Sequence, residues 1–314
     1  MRVRIIGSAA GGGFPQWNCN TQLSRRARAN DAAIVARTQS SIAVNAETGK
    51  TNGGMGWVVL NASPDIRQQI AATPELQPQP DGPLRATPIA AVVLTNADID
   101  HIAGLLSLRE RQPFHLYASR KVLDVLDANP VFDVLDRSVV QRIELKPDVA
   151  TEITGPSGPT GLTLEAYPVP GKVALYLETG DASDFGDDGG NTVGVSLTDT
   201  AGARIEYVPG CARIDPAFLA RVDGCDALLF DGTVFHDDEM ARAGVGAKTG
   251  RRMGHVPIAG DGGSLDAFAA TGIGRRYYIH INTTNPILDD NSPERAIVEA
   301  AGWTVTHDGM EIVT

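Results

Sequence analysis

An apolar run over residues 89–94 ends in Thr95-Asn96-Ala97-Asp98-Ile99-Asp100-His101, and a helical pattern begins at Ile102. A strand that passes through carboxylates and an imidazole into a helix constrains the fold, because such βα units stack into layered α/β architectures. It also has the look of half a metal site. The remaining donors must then come from the ends of other strands.

A helix is expected from about 98 to 109, and the same alternation continues with a strand at 115–118 and a helix at 121–126. Upstream, a strand at 3–7 enters the glycine-rich stretch Ser8-Ala9-Ala10-Gly11-Gly12-Gly13. This stretch reads either as a tight turn or as a site wall. It is not a phosphate loop, since Phe14-Pro15-Gln16-Trp17 would break the helix that a dinucleotide fingerprint requires. Segments 41–45 and 57–61 read as an antiparallel hairpin around a turn-rich segment, 47–54. Ser63 followed by Pro64 predicts a helix start, and the Pro-rich stretch 77–88 predicts a surface loop.

Further strands are expected at 162–169, 173–178, 192–197 and 205–208. They are followed by a strand at 227–230 ending on Asp231, a helix at 264–270, a strand at 277–281, a helix at 293–301 and a strand at 303–306. Strand-rich then helix-rich order thus occurs twice. Two sheets covered on their outer faces by helices, within one domain spanning 1–314, accommodate it. Glycine places the candidate mobile loops at 185–190 and 243–250.

Composition narrows the function. The 314 residues are 42% hydrophobic and 21% charged, enough to bury a sizeable core. A formal charge of −11 argues against nucleic-acid binding, which wants clustered Lys and Arg. No stretch approaches the roughly 18 apolar residues of a membrane span, and the N-terminal apolar run breaks at Gly7. The expectation is a cytoplasmic protein. Cys19, Cys211 and Cys225 are too few and too far apart for a disulfide framework or a cysteine zinc knuckle.

Asp100-His101 offers a hard oxygen and an imidazole at one strand end. Two other strands end comparably, one at Asp231 before Gly232 and one carrying His280 between Ile279 and Ile281. Each has a plain structural alternative. Asp98 or Asp100 could cap the following helix, Asp231 could be a turn carboxylate, and His280 could be a core histidine satisfied by backbone.

Thr95-x-Ala97-x-Ile99-Asp100-His101-Ile102-x-Gly104 resembles the HxHxDH motif of the metallo-β-lactamase fold, with Asp231 and His280 in the places of its later Asp and final His. More closely, three motifs resemble the coenzyme PQQ synthesis protein B family: the stretch from Gly7 to Asn20, Met253-Gly254-His255, and Ile279-His280-Ile281-Asn282-Thr283-Thr284-Asn285-Pro286-Ile287-Leu288. The similarity runs over essentially the whole chain. It implies a four-layer αββα sandwich and a role in pyrroloquinoline quinone biosynthesis.

The resemblance also implies one metal rather than two. The first-metal histidines of HxH are replaced by Asn96 and Asp98, and the later loop Val169-Pro170-Gly171-Lys172 has no histidine. The second-metal positions are filled by Asp100, His101, Asp231 and His280, so these four are the expected ligands of one divalent ion. Iron(II) is favoured and zinc is the alternative, since two imidazoles with carboxylate and open positions suit oxygen chemistry. Asp98 is expected as an orienting residue or further ligand, and His255 as a substrate or proton-transfer residue. Cys19 stands where relatives can carry a CxCxxC zinc cluster, which one thiol cannot form.

The expected activity is oxygen-dependent hydroxylation of the tyrosine part of a peptide-derived precursor. The alternatives are a soluble carrier that binds PQQ or its precursor and assists transport to the periplasm, and, behind that, a zinc hydrolase. Expected partners are the precursor or PQQ and possible other proteins of the pathway.

Overall fold

Six strands open the chain: β1 (Arg2–Gly7), β2 (Ser41–Asn45), β3 (Trp57–Leu60), β4 (Ile89–Val93), β5 (Phe114–Ala118) and β6 (Val140–Glu144). Nine more follow: β7 (Thr151–Gly155), β8 (Gly158–Pro168), β9 (Gly171–Lys172), β10 (Phe185–Asp187), β11 (Val193–Asp199), β12 (Arg204–Val208), β13 (Ala227–Asp231), β14 (Arg275–Ile279) and β15 (Trp303–Val305). The last is β16 (Glu311–Val313), which returns to pair with β1. The computed structural model describes residues 1–46, 56–180, 185–187 and 189–314.

Among the described residues, two seven-stranded sheets form, in the orders β16-β1-β2-β3-β4-β5-β6 and β15-β14-β13-β12-β11-β8-β7. Each has an antiparallel portion and a parallel one. β3 to β6 are parallel in the first sheet and β12 to β15 in the second. Parallel strands need crossovers, which helices supply, and this accounts for the twice-repeated order in the sequence.

Three apolar layers make the sandwich. Val3, Ile5, Ile42, Val58 and Val93 meet Leu164, Val195, Ile205 and Leu229 between the sheets. The outer face of the first sheet is covered by α2 (Ile66–Ala72) and α4 (Arg120–Ala128), through Ile66, Val122 and Leu126. The outer face of the second is covered by α5 (Pro216–Val222) and α8 (Pro293–Ala300), through Phe218 and Val298. At about 1.5–3 kcal/mol for each fully buried large apolar side chain, these layers dominate the favourable side of folding. The expected αββα metallo-β-lactamase fold is the one observed.

Several local expectations change. The helix expected over about 98–109 is α3 (Ile99–Ile102) followed by a 3-10 turn, Ala103–Leu108. The His101 carbonyl accepts from Ala62 N at 2.8 Å, and Gly104 N donates to the Ala62 carbonyl, also at 2.8 Å, so the loop before α2 takes over groups the helix would use. A Cβ on Gly104 would lie 2.0 Å from the Ser63 carbonyl oxygen, so only glycine fits this close approach.

The helix expected from Pro64 starts two residues later. Ser63 Oγ accepts from Asp65 N at 3.2 Å, and the Asp65 carboxylate turns to Gln39 N instead of capping. The strand expected at 173–178 is a 3-10 turn, Leu175–Leu177, whose three side chains are largely exposed. Leu175 N donates to Asp98 Oδ1 at 2.8 Å and Tyr176 OH to the Ala97 carbonyl at 2.9 Å, so the segment is fastened to the loop after β4 rather than to a sheet. The turn expected at 47–54 lies outside the described residues, as does Asp188 of the glycine-rich stretch 185–190.

Candidate metal centre

Ligands in open parallel sheets gather beyond the carboxyl ends of the strands, and here the ends of β4, β13 and β14 converge. After β4, Asn96 Oδ1 accepts from Asp98 N at 2.9 Å, a local turn that sets Asp100 and His101 into the single turn of α3. Asp98 holds the N-cap position but makes no capping bond, because its carboxylate is taken by Leu175 N and the Lys172 ammonium, 3.2 Å away. Asp231 is the last residue of β13 and fully buried.

His280 does not lie inside a strand, as expected, but immediately beyond β14, with φ +60°. A left-handed conformation at a non-glycine residue costs roughly 1–3 kcal/mol and persists only where neighbours hold it. Thr233 does so here, its Oγ1 lying 2.9 Å from the His280 carbonyl oxygen and 2.8 Å from Nδ1. The strain turns the imidazole out of the sheet toward α3.

Asp100, His101 and His280 form one group of donors that can hold an ion. Asp100 Oδ2 lies 3.1 Å from His280 Nε2 and 3.7 Å from His101 Nε2. Both nitrogens of His101 are buried without a hydrogen-bond partner, a costly state for an imidazole unless an ion or a water completes it. Burial pushes the His101 pKa down to about 4, against the pull of Asp100. The neutral ring that results is the form that ligates metals. Burial alone would raise the Asp100 pKa, but His101 and His280 outweigh it and hold the carboxyl well below its usual range. For His280, burial acts downward and the Asp100 hydrogen bond and charge outweigh it, leaving the pKa above its ordinary value. This donor chemistry fits a divalent cation.

Asp231, His255 and His280 form a second group. Its centre is filled by the Thr233 hydroxyl, which lies 2.6 Å from Asp231 Oδ1, 2.8 Å from His280 Nδ1 and 3.1 Å from His255 Nδ1. Both Asp231 oxygens are engaged, Oδ1 by Thr233 N and Oγ1, and Oδ2 by Cys211 N at 3.0 Å and His255 Nδ1 at 2.7 Å. The one Thr233 proton goes to an oxygen, so His280 Nδ1–H donates to Thr233 and Nε2 is the nitrogen left to face Asp100. Of the four expected ligands, the structure brings Asp100, His101 and His280 to one point and sets Asp231 behind His280. The His255 ring stacks on His280, with centroids 5.1 Å apart.

A cavity of about 290 Å³ opens on the first group, lined by Gly11, Asn96, Asp98, Lys172, Glu178, Lys248, Met253 and His255 among others. Gly11 settles the glycine-rich stretch as a wall, since a Cβ there would lie 3.4 Å from Asp100 Cγ. Where the metallo-β-lactamase motif would bring a first-metal set, Asn96, Asp98 and Lys172 stand instead. Sequence reasoning missed Thr233, Glu178 and Lys248. The Asp231-Gly232-Thr233 turn carried a signal for the first, while the other two reach the site only through tertiary packing. Cys19 is buried, with Sγ 3.3 Å from Thr21 Oγ1.

The model for the Beta-lactamase superfamily domain matches residues 56–281. A protein of Methylobacterium radiotolerans named coenzyme PQQ synthesis protein B is 53% identical over 99% of both chains, and its namesake in Gluconacetobacter diazotrophicus is 52% identical over 99% of this chain and 98% of its own. The crystal structure of Zn(2+)-bound PqqB from Methylobacterium extorquens superposes with a TM-score of 0.92 at 50% identity, covering 100% of each chain. A diphosphatase of the PhnP family shares the fold, with a TM-score of 0.65 at 19% identity over 99% of this chain and 97% of its own.

Proposed function

Because the chain belongs to the coenzyme PQQ synthesis protein B family, its role is in pyrroloquinoline quinone biosynthesis, and we propose that it hydroxylates the tyrosine part of a peptide-derived precursor, using oxygen and one divalent metal ion. The carrying observation is the convergence of Asp100, His101 and His280, with both His101 nitrogens unpartnered. Two imidazoles and one carboxylate on one side of an ion leave positions open for oxygen and substrate, the arrangement of non-haem iron(II) oxygenases. Iron(II) is therefore the metal of this reading, with Asp100, His101 and His280 as its ligands. The zinc-bound relative supports metal binding at large.

Bound there, the ion supplies the one-electron chemistry with oxygen that side chains lack. One oxygen atom enters a ring C–H bond and the other leaves as water, with two electrons and two protons drawn from an external reductant. The protein holds the geometry. Asp231, through Thr233, fixes the His280 tautomer and ring plane, as carboxylates behind metal-bound histidines do. Asp231 also accepts from His255 Nδ1, which makes Nε2 the basic nitrogen of that ring and suits it to take a phenolic proton. Asp98, pinned by Lys172 and Leu175 N, positions the turn that carries Asp100.

Two observations weigh on the neighbouring readings. Asn96, Asp98 and Lys172 stand where the metallo-β-lactamase motif would bring the first-metal imidazoles of a dinuclear hydrolase. Among the described residues, no helix is long and apolar enough to cross a membrane, and the reading places the work in the cytoplasm. The test combines metal analysis of protein purified without added metal with precursor turnover under Fe(II), oxygen and a reductant. Oxygen-dependent turnover with iron is expected, and full activity with zinc alone would sink the proposal.

A further inference from the structure

One cation in the cavity is supplied by the chain itself. Lys172, the second residue of β9, is largely buried, with its side chain 12% exposed, and its ammonium is enclosed by oxygen. It donates to Asp98 Oδ2 at 3.2 Å and to the Val173 carbonyl at 3.2 Å, and it faces Glu178 Oε1 at 3.7 Å. An ammonium has three donors, and three groups surround this one. The two carboxylates offset what it costs to take the charge out of water. The stem has a path of its own, since a Cβ at Gly254, whose φ is +92°, would touch it 3.4 Å from Lys172 Cγ.

Carboxylate and backbone-carbonyl oxygens are the ligands that hard divalent ions take. The groups that hold the ammonium would therefore hold such an ion in its place. Position in the sequence points the same way. Asp98 and Lys172 stand at two of the places where the metallo-β-lactamase motif would bring first-metal histidines, and here they form an ion pair with each other. Lys248 adds a looser cation from the mouth of the cavity, about half exposed and donating to Glu178 Oε2 at 3.1 Å.

We propose that the Lys172 ammonium is a built-in cation that takes the place of a second metal ion. On this account the centre is mononuclear because its second cation position belongs to a side chain, not because oxygen donors are lacking. Lys172 thereby sets the metal stoichiometry. With the ammonium in place, a further divalent ion would have to sit beside a fixed positive charge and compete for carboxylates that are already paired. Removing the charge while keeping the bulk frees Asp98, Glu178 and the Val173 carbonyl for a hard ion. The role is independent of the reaction carried out in the cavity.

The test is equilibrium dialysis of the full-length protein against Mn(II), counted by elemental analysis, for the wild type, Lys172→Met and Lys172→Arg. A thermal melt of each, with and without Mn(II), accompanies it. Lys172→Met is expected to bind one equivalent more than the wild type, at least roughly tenfold tighter than any further Mn(II) on the wild type. Adding Asp98→Asn to that variant should abolish the extra equivalent. Lys172→Arg, which keeps the charge, should match the wild type. Loss of the ammonium should lower the melting temperature of Lys172→Met, and Mn(II) should raise it by more than it raises that of the wild type. An unchanged count in Lys172→Met, an extra equivalent in Lys172→Arg as well, or a Lys172→Met protein that stays unfolded with Mn(II) would each overturn the built-in cation. A wild type that binds no ion while Lys172→Met gains one would instead overturn the metal group of Asp100, His101 and His280 and leave the role of Lys172 standing.

Discussion

Two groups of three donors share His280, and they differ in what occupies their centres. Asp231, His255 and His280 surround the Thr233 hydroxyl, so every nitrogen and oxygen turned inward is already paired. Asp100, His101 and His280 surround a space into which His101 directs unpartnered nitrogen. Residue type does not separate the two groups, since each has one aspartate and two histidines. Satisfaction does. The first is satisfied without an ion, and the second leaves both His101 nitrogens for an ion or a water to complete.

The hardest blow to this contrast is a pair of substitutions. His101→Ala should reduce metal affinity by about 100-fold or more, because it removes a ligand rather than a support. His255→Ala should leave the ion at one equivalent and lose turnover. Elemental analysis after dialysis against a weak chelator reads both. If His255→Ala strips the ion as fully as His101→Ala does, the two groups are not scaffold and site.

Thr233→Val, nearly isosteric, should weaken metal binding by about 10–100-fold, the usual cost of losing a partner behind a ligand. It leaves His280 Nδ1 and Asp231 Oδ1 without the hydroxyl that orients them. A titration with zinc under competition from a chromogenic chelator measures the shift. An unchanged affinity would mean that the strained His280 backbone alone sets the ring.

The two imidazoles of the metal group should also answer pH in opposite senses in the metal-free protein. His101, with its pKa pushed down to about 4 from 6.5, stays neutral in the folded state while the unfolded chain takes up a proton. Its contribution is therefore present above 6.5 and is lost as pH falls toward about 4, by up to about 3 kcal/mol. His280, raised above its ordinary value by Asp100 against the effect of burial, contributes stability that is present below 6.5 and lost as pH rises through its folded pKa. Urea unfolding across this range should show the acid limb flatten in His101→Ala and the alkaline limb flatten in His280→Ala. Identical changes in both variants would erase the distinction between an imidazole kept neutral and one held charged.

How much of this was legible in the chain follows the same division. Hydrophobic runs located β4, β13 and β14 within a residue or two, because buried parallel strands are apolar on both faces. The strand-end donors Asp100, His101, Asp231 and His280 were visible for that reason. The left-handed turn at His280 was not, since nothing in Tyr278-Ile279-His280-Ile281 marks a positive φ, and it arises from the grip of Thr233 across 47 residues. The split of the helix after Asp98 likewise follows from Ala62 taking the bonds of His101 and Gly104. β16 and α1 (Gln22–Arg28) escaped because each buries too few apolar side chains to show a period. The αββα arrangement itself came from the family resemblance, with the twice-repeated order only consistent with it.

The smallest expected effect concerns the wall against which the open group is set. A Cβ on Gly11 would meet Asp100 Cγ at 3.4 Å and Oδ2 at 3.5 Å, ordinary contact distances. Gly11 is not among the glycines with positive φ, so alanine is not excluded by its backbone. Gly11→Ala should therefore change metal affinity by less than about threefold, while narrowing the cavity beside the ligand. If the same substitution released the ion, Asp100 would have to swing toward Gly11 when it binds metal, and the group would be assembled by the ion. Retention of affinity means that the fold holds Asp100, His101 and His280 in place before the ion arrives.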